Sequence, residues 1–101
     1  MTLAAGSRVL VVGAGIAGLA AARALARAGF SPEVIEREPA SPDAGTGIYL
    51  PGNAARGLRA LGLDAEVAER AVEIPRQRFL DHRGRLLADV DVSRWLEERV
   101  V

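Results

Sequence analysis

A glycine-rich turn placed directly after a run of apolar residues is the feature that most constrains the fold of this chain. Residues 9–12 read Val-Leu-Val-Val, which is typical of a strand buried in a parallel sheet. The spacing Gly-x-Gly-x-x-Gly follows at Gly13, Gly15 and Gly18. Gly13 allows a sharp turn, Gly15 leaves room for a diphosphate, and Gly18 lets the next helix pack closely on the strand. The first amides of that helix would form an anion site.

The residues after these glycines supply the context that the spacing needs, because the spacing alone is a weak signal. Residues 16–28 lack proline and are rich in alanine, which predicts a helix that Gly29 ends. A second strand over residues 34–35 is followed by Glu36, 18 positions after Gly18. A carboxylate there would accept both hydroxyls of an adenosine ribose and would repel the 2′-phosphate of NADP. The pattern predicts a dinucleotide site and leaves FAD and NAD both open.

Turn and capping signals organise the remainder of the chain. A loop with two prolines follows Arg37, and a second glycine-rich stretch covers residues 45–53. The residues at 81–84, Asp-His-Arg-Gly, suit a type I turn. The other predicted elements are helices over 53–61 and 64–71, N-capped by Asn53 and Asp64, and a hairpin with strands over 76–80 and 85–92.

Composition narrows the functional class. The 101 residues are 50% hydrophobic and 26% charged, so the chain can build a core and forms one small domain or a piece of a larger one. Thirteen basic and thirteen acidic residues give zero net charge, which argues against nucleic acid or an anionic membrane as partner. The longest uncharged run, residues 9–22, has 14 residues and is too short to span a membrane. The same run could pass for a signal peptide, but its three glycines at the Gly-x-Gly-x-x-Gly spacing favour the nucleotide site, so we expect a cytoplasmic protein. Cysteine is absent, so the chain has no disulfide, which is compatible with a reducing compartment.

Other candidate chemical groups have simpler interpretations. His82 lies in the predicted turn, where a solvated residue is favoured over a catalytic base. Asp81, Asp89 and Asp91 are expected on a solvated face, so we predict no metal site. Arg37 directly follows the ribose acid and lies either against the adenine or a phosphate, or free on the surface; the sequence leaves both open.

With both glycine-rich stretches in place, the chain resembles the N-terminal part of FAD-dependent monooxygenases, namely the p-hydroxybenzoate hydroxylase-like aromatic hydroxylases. The match covers about residues 7–92. The segment Gly-Thr-Gly-Ile-Tyr-Leu-Pro-Gly-Asn-Ala at 45–54 is more specific to this family than the Gly-x-Gly-x-x-Gly fingerprint at residues 13–18. It therefore favours FAD over NAD as the cofactor. The other matching segments are residues 9–19, 34–37 (Val-Ile-Glu-Arg) and 59–63 (Arg-Ala-Leu-Gly-Leu).

This resemblance implies an α/β fold: a Rossmann-like FAD-binding βαβ unit of the GR2 type, incomplete, followed by a helix pair and a β-hairpin. Residues 7–75 would be the N-terminal part of the FAD-binding domain. Residues 76–92 would begin the substrate-binding sheet, and residues 93–101 would be the tail of a truncated domain. The resemblance does not identify which residues are catalytic. The implied cofactor-binding residues are Gly13, Ala14, Gly15, Ile16, Ala17, Gly18, Glu36, Arg37, Gly47 and Ile48.

The implied reaction is hydroxylation of a small organic substrate, aromatic or polyketide-like, by O₂ at a flavin that NADH or NADPH reduces. Relatives carry later Asp-Gly and Gly-Asp motifs, and this chain contains neither dipeptide. We therefore do not expect the 101 residues alone to be a competent monooxygenase. Two alternatives remain: another FAD-dependent oxidoreductase, such as an amine oxidase-like enzyme, or a non-catalytic dinucleotide-binding fragment.

Overall fold

The chain divides into two compact units, Met1–Gly47 and Ile48–Val101. A computed structural model describes residues 2–39 and 47–93 of the protein. Residues 45 and 46 of the second glycine-rich stretch lie outside this range, as does the predicted tail after Ser93.

The first unit is a strand–helix–strand repeat. Strand β1 (Arg8–Val12) leads into helix α1 (Ile16–Arg27), and the chain returns as strand β2 (Ser31–Ile35). The two strands pair in parallel, with Val9 opposite Pro32 and Val12 opposite Ile35. Parallel neighbours need a crossover, and α1 supplies it by packing against both strands. The predicted order of strand, helix and strand is confirmed.

Helix α1 covers one face of this two-stranded sheet. Val9 and Val11 are half-buried, whereas Leu10 and Val12 on the opposite face are 58% and 77% exposed. The alternation follows from the two-residue period of a strand. The prediction that this strand is buried is therefore wrong for the described residues, because they place one helix on one face and nothing on the other.

The end of α1 has the geometry that its sequence predicts. Gly29 adopts a left-handed φ of 88°. Its N–H donates to the Ala26 carbonyl at 3.1 Å, and the Phe30 N–H donates to the Leu25 carbonyl at 3.0 Å, which together form a Schellman motif. The Gly29 carbonyl accepts the Gly6 N–H at 2.8 Å, so the residues before β1 are tied to the end of α1.

The second unit contains two short helices and a hairpin. Helix α2 (Gly52–Ala60) precedes helix α3 (Asp64–Ala68), and strands β3 (Arg76–Leu80) and β4 (Leu86–Asp91) pair antiparallel. The helix pair and the hairpin are thus confirmed. None of the residues described in either unit is fully buried.

The predicted N-caps of both short helices are wrong. Pro51 is the N-cap of α2, because its extended backbone directs its carbonyl to the Ala55 N–H at 3.1 Å. Asn53 therefore lies inside the first turn. Leu63 is the N-cap of α3, so Asp64 is the first helical residue, where its charge favours the helix dipole without capping an amide. The helix ends at Ala68, three residues earlier than predicted.

Asp81 organises the hairpin turn. Its side chain accepts the N–H groups of Arg83 and Arg85, both at 2.9 Å, and its carbonyl accepts the Gly84 N–H at 3.0 Å. Gly84 has a left-handed φ of 80°. Because Arg85 is held in the turn, β4 begins at Leu86, one residue later than predicted.

A Gly18→Ala substitution tests how tightly the first unit is packed. A Cβ at residue 18 would lie 1.9 Å from the Gly13 carbonyl oxygen, and this backbone atom cannot move without opening the turn. We expect a loss of about 1–3 kcal/mol in the free energy of unfolding, measured by thermal denaturation. Gly57→Ala is the matched control, since a Cβ there meets nothing within 4 Å. It should stabilise α2 by up to about 1 kcal/mol; equal effects at both positions would contradict the packing argument.

Candidate functional site

The turn between β1 and α1 is held against the end of β2. The Gly13 N–H donates to the Ile35 carbonyl at 2.7 Å, which continues the parallel ladder by one bond beyond the strands. Gly13 has a φ of 103°, a conformation that strongly favours glycine. The first fingerprint glycine therefore turns the chain where the sequence predicts it.

The other two fingerprint glycines have opposite surroundings. Gly18 lies so close to the Gly13 carbonyl that no Cβ fits, which is the tight packing for which the sequence predicts a glycine. Gly15 is extended, with φ −72° and ψ −177°, and a Cβ built on it meets no atom within 4 Å. The space beside Gly15 is therefore open to a ligand.

In the part of the chain that the structure describes, no side chain caps the start of α1. Gly15 is the N-cap and makes no side-chain hydrogen bond, and the first turn contains no acidic residue. The N–H groups of Ile16, Ala17 and Gly18 have no carbonyl partner within the helix, because they belong to its first turn. Together with the positive end of the helix dipole they can bind an anion.

Glu36 follows β2 and reaches back to this turn. Its Oε2 accepts the Ala14 N–H at 2.7 Å, and its Oε1 accepts the Glu38 N–H at 3.2 Å. The hydrogen bond from Ala14 is the largest cause, and the bond from Glu38 the next, of a carboxyl pKa that lies below its ordinary value. The Arg37 N–H also lowers this pKa, whereas desolvation raises it. Glu36 is therefore ionised near neutral pH and can accept further hydrogen bonds.

An open cavity of about 370 Å³ lies beside this carboxylate. Its lining combines apolar side chains with the loop and the charged pair that follows β2: Val12, Gly13, Ile35, Glu36 and Arg37. The Arg37 side chain is 90% exposed, and its Nε lies 3.4 Å from a carboxylate oxygen of Glu38. Arg37 thus borders the cavity while remaining on the surface, which is compatible with both interpretations of this residue.

These residues fit the ADP half of a dinucleotide. The uncapped helix start offers donors to a diphosphate, the open space at Gly15 admits it, and the ionised Glu36 offers an acceptor to a neighbouring diol. The structure brings eight predicted residues into one region: Gly13, Ala14, Gly15, Ile16, Ala17, Gly18, Glu36 and Arg37.

The remaining two predicted residues lie elsewhere in the chain. Gly47 ends the first unit, and Ile48, which is 62% exposed, begins the second. Their place on the flavin side of the cofactor stays a prediction.

The hydrogen bond between Glu36 and the Ala14 amide is not predicted by any signal within the sequence motif. No residue pattern marks a bond from a side chain to a backbone amide 22 positions away. One signal was available: parallel strands end at the same edge of a sheet, so the residue that follows β2 must lie near the turn that follows β1.

Asp81 and Asp89 of the second unit have polar partners. Asp81 accepts hydrogen bonds within the turn, and Asp89 lies 2.7 Å from the Nε of Arg76. His82 is exposed in that turn. Within residues 2–39 and 47–93, no three metal-ligating side chains come together. In the same ranges, no helix is long and apolar enough to cross a membrane.

Comparison with known proteins gives the family. Residues 6–99 match the family described as FAD binding domain, so the chain belongs to the FAD binding domain family. It is 39% identical over 89 residues to the aurachin C monooxygenase/isomerase of Stigmatella aurantiaca, covering 88% of this chain and 23% of that protein. It is 50% identical over 64 residues to the 3-hydroxybenzoate 6-hydroxylase of Polaromonas naphthalenivorans (strain CJ2), covering 63% of this chain and 16% of the relative.

A third relative is also named a monooxygenase, and it matches this chain over the same number of residues as the second. The 3-amino-4-hydroxybenzoate 2-monooxygenase PtnB3 of Streptomyces platensis is 47% identical over 64 residues, again covering 63% of this chain and 16% of the relative. The chain thus spans between 16% and 23% of the length of these relatives. The predicted resemblance to FAD-dependent aromatic hydroxylases is confirmed.

The lowered pKa of Glu36 predicts how the stability of the first unit depends on pH. A carboxyl with a depressed pKa in the folded state stabilises the fold above its unfolded pKa, and this contribution is lost as pH falls through the folded pKa. We expect the wild-type chain to be more stable than Glu36→Gln at neutral pH, with a difference that shrinks on acidification. Thermal denaturation of both chains from neutral to acidic pH measures this difference. A difference that stays constant with pH would contradict the prediction.

Proposed function

We propose that this chain is the FAD-binding segment of a flavin-dependent monooxygenase, and that β1, α1 and β2 form a Rossmann-like site for the ADP half of FAD. The observation that carries the proposal is the ionised Glu36 beside an uncapped helix start. Membership of the FAD binding domain family supports FAD as the dinucleotide.

Each predicted residue has a role in this proposal. The amides of Ile16, Ala17 and Gly18 donate to the diphosphate, which passes through the open space at Gly15. Glu36 accepts the ribose hydroxyls and disfavours a 2′-phosphate by charge repulsion. Arg37 lies against the adenine or a phosphate, since it borders the same cavity.

The backbone around these residues completes the proposed site. Gly13 and Ala14 form the turn that the cofactor crosses. Gly47 and Ile48 are assigned to the flavin side, which rests on the resemblance of the second glycine-rich stretch. The hairpin of β3 and β4 is proposed as the start of the substrate-binding sheet, after an FAD-binding part that covers residues 7–75.

When bound, FAD supplies the redox chemistry that activates O₂ for hydroxylation; this segment binds its ADP half and orients it. The relatives' names support a small aromatic compound as substrate. NADH or NADPH is proposed as reductant on the resemblance alone. A cytoplasmic location is proposed, and the absence of cysteine from this sequence is compatible with a reducing compartment.

A Gly15→Val substitution tests the proposed path of the diphosphate. A Cβ built on residue 15 meets no described atom within 4 Å, so we expect the fold to be retained, whereas the valine methyl groups extend into the space that we assign to the diphosphate. FAD affinity of the 101-residue chain should fall at least about ten-fold, because anion contacts at the helix start are lost. Fluorescence anisotropy of FAD against increasing protein concentration measures this affinity.

Gly57→Val is the matched control for this experiment. Residue 57 lies in α2, equally free of neighbours and outside the proposed site, so FAD affinity should equal that of the wild-type chain. If Gly15→Val and Gly57→Val bind FAD alike, the glycine-rich turn is not the FAD site. If the wild-type chain shows no FAD binding up to millimolar concentrations, the proposed function fails for this chain.

A further inference from the structure

Two consecutive amides of the glycine-rich turn donate to the end of β2. The Gly13 N–H bonds to the Ile35 carbonyl at 2.7 Å, and the Ala14 N–H bonds to Glu36 Oε2 at 2.7 Å. The first bond is made by the main chain and is available whatever side chains are present. The second depends on one side chain, so Glu36 determines where the Ala14 amide points.

This arrangement matters because Ala14 lies inside the fingerprint. An N–H that bonds to a carboxylate points toward negative charge, so it cannot at the same time donate to a diphosphate. The bond also fixes the peptide that follows Gly13, which is in a left-handed conformation and has no Cβ to restrict it. Without Glu36 the Ala14 N–H would lose this acceptor, and the peptide would be held only through the close approach of its Gly13 carbonyl to Gly18.

We propose that Glu36 is a positioning residue for the glycine-rich turn, which its carboxylate holds in the ligand-binding conformation before any nucleotide is present. The Ala14 amide is thereby withdrawn from the anion site, and the first-turn amides of α1 remain for the diphosphate. This role is additional to the proposed acceptance of ribose hydroxyls. Only its link to nucleotide binding rests on the proposed function, because the bond to Ala14 exists in the free chain.

The carboxylate has enough acceptor capacity for both roles. Two carboxylate oxygens offer about four lone-pair positions, and the amides of Ala14 and Glu38 occupy two of them. About two positions are left for the two ribose hydroxyls, so the nucleotide need not displace the Ala14 amide. Preorganisation of this kind reduces the ordering cost of binding.

The charged surroundings of Glu36 are simple in the described part of the first unit. Arg37 borders the same cavity, and its guanidinium is already paired with Glu38. A further ion pair of this sheet joins Arg8, at the start of β1, to Glu33, the central residue of β2. The Ala14 amide is therefore the contact whose behaviour should follow the charge of Glu36 most directly.

Amide hydrogen exchange in the free 101-residue chain tests this proposal without any ligand. In Glu36→Ala the Ala14 amide should exchange about ten-fold faster than in the wild-type chain, because a hydrogen bond to a charged acceptor is lost. Glu36→Gln keeps a neutral acceptor and should restore part of this protection. The Gly13 amide, which donates to a main-chain carbonyl, should change less.

Glu38→Gln is the matched control, because it removes a nearby carboxylate that makes no bond to Ala14 and should leave the exchange of the Ala14 amide unchanged. A second readout separates positioning from general stability: the chemical shift of the Ala14 amide proton should titrate with the Glu36 carboxyl in the wild-type chain and lose that titration in Glu36→Gln.

Equal exchange of Ala14 in the wild-type chain and Glu36→Ala, including rapid exchange in both, would overturn the proposal, as would an amide shift that is independent of pH. The outcome is distinguishable from a failure of the proposed function. FAD binding without this coupling rejects the positioning role alone, and this coupling in a chain that does not bind FAD rejects the proposed function alone.

Discussion

The close approach between Gly18 and the Gly13 carbonyl is the contact on which the first unit depends. It brings the start of α1 against the turn that leaves β1, and a single Cβ at residue 18 would prevent it. Because the helix starts there, its unbonded amides face the space beside Gly15. The anion site is thus made of main-chain amides, and its position follows from how tightly one turn of backbone packs.

The proposed nucleotide site needs only one edge of the sheet. The turn after β1 and the residue after β2 meet because parallel strands end at the same side, and the bonds from Gly13 and Ala14 fix them together. The opposite face of the sheet, where Leu10 and Val12 are exposed, contributes Val12 and its register partner Ile35 to the cavity lining. The residues proposed to bind the ADP group thus lie within about thirty consecutive positions. This short span explains why the sequence pattern alone predicts a dinucleotide site.

The structure was predicted best at positions where a single residue type satisfies the backbone conformation. The left-handed conformations at Gly13, Gly29 and Gly84 strongly favour glycine, so the turn after β1, the end of α1 and the hairpin turn were predicted correctly. The sequence was less informative where neighbouring residues could each begin a helix, since Pro51 and Leu63 are the N-caps although Asn53 and Asp64 are better caps by type. The burial of β1 was predicted wrongly. Its apolar residues favour burial, but a second packed layer must be present to bury them. The bond between Glu36 and Ala14 needed the three-dimensional register of β1 and β2.

The central claim is that the first unit binds the ADP half of FAD at the start of α1. The most direct measurement is the two-dimensional amide spectrum of the ¹⁵N-labelled 101-residue chain, titrated with FAD and, separately, with FMN, which lacks the adenosine. This spectrum detects even millimolar affinities. We expect FAD to shift the amides of residues 15–18 and those around Glu36, and FMN to leave the amides around Glu36 unchanged. Equal shifts around Glu36 with both compounds, or no shift at residues 15–18 with FAD, would contradict the account.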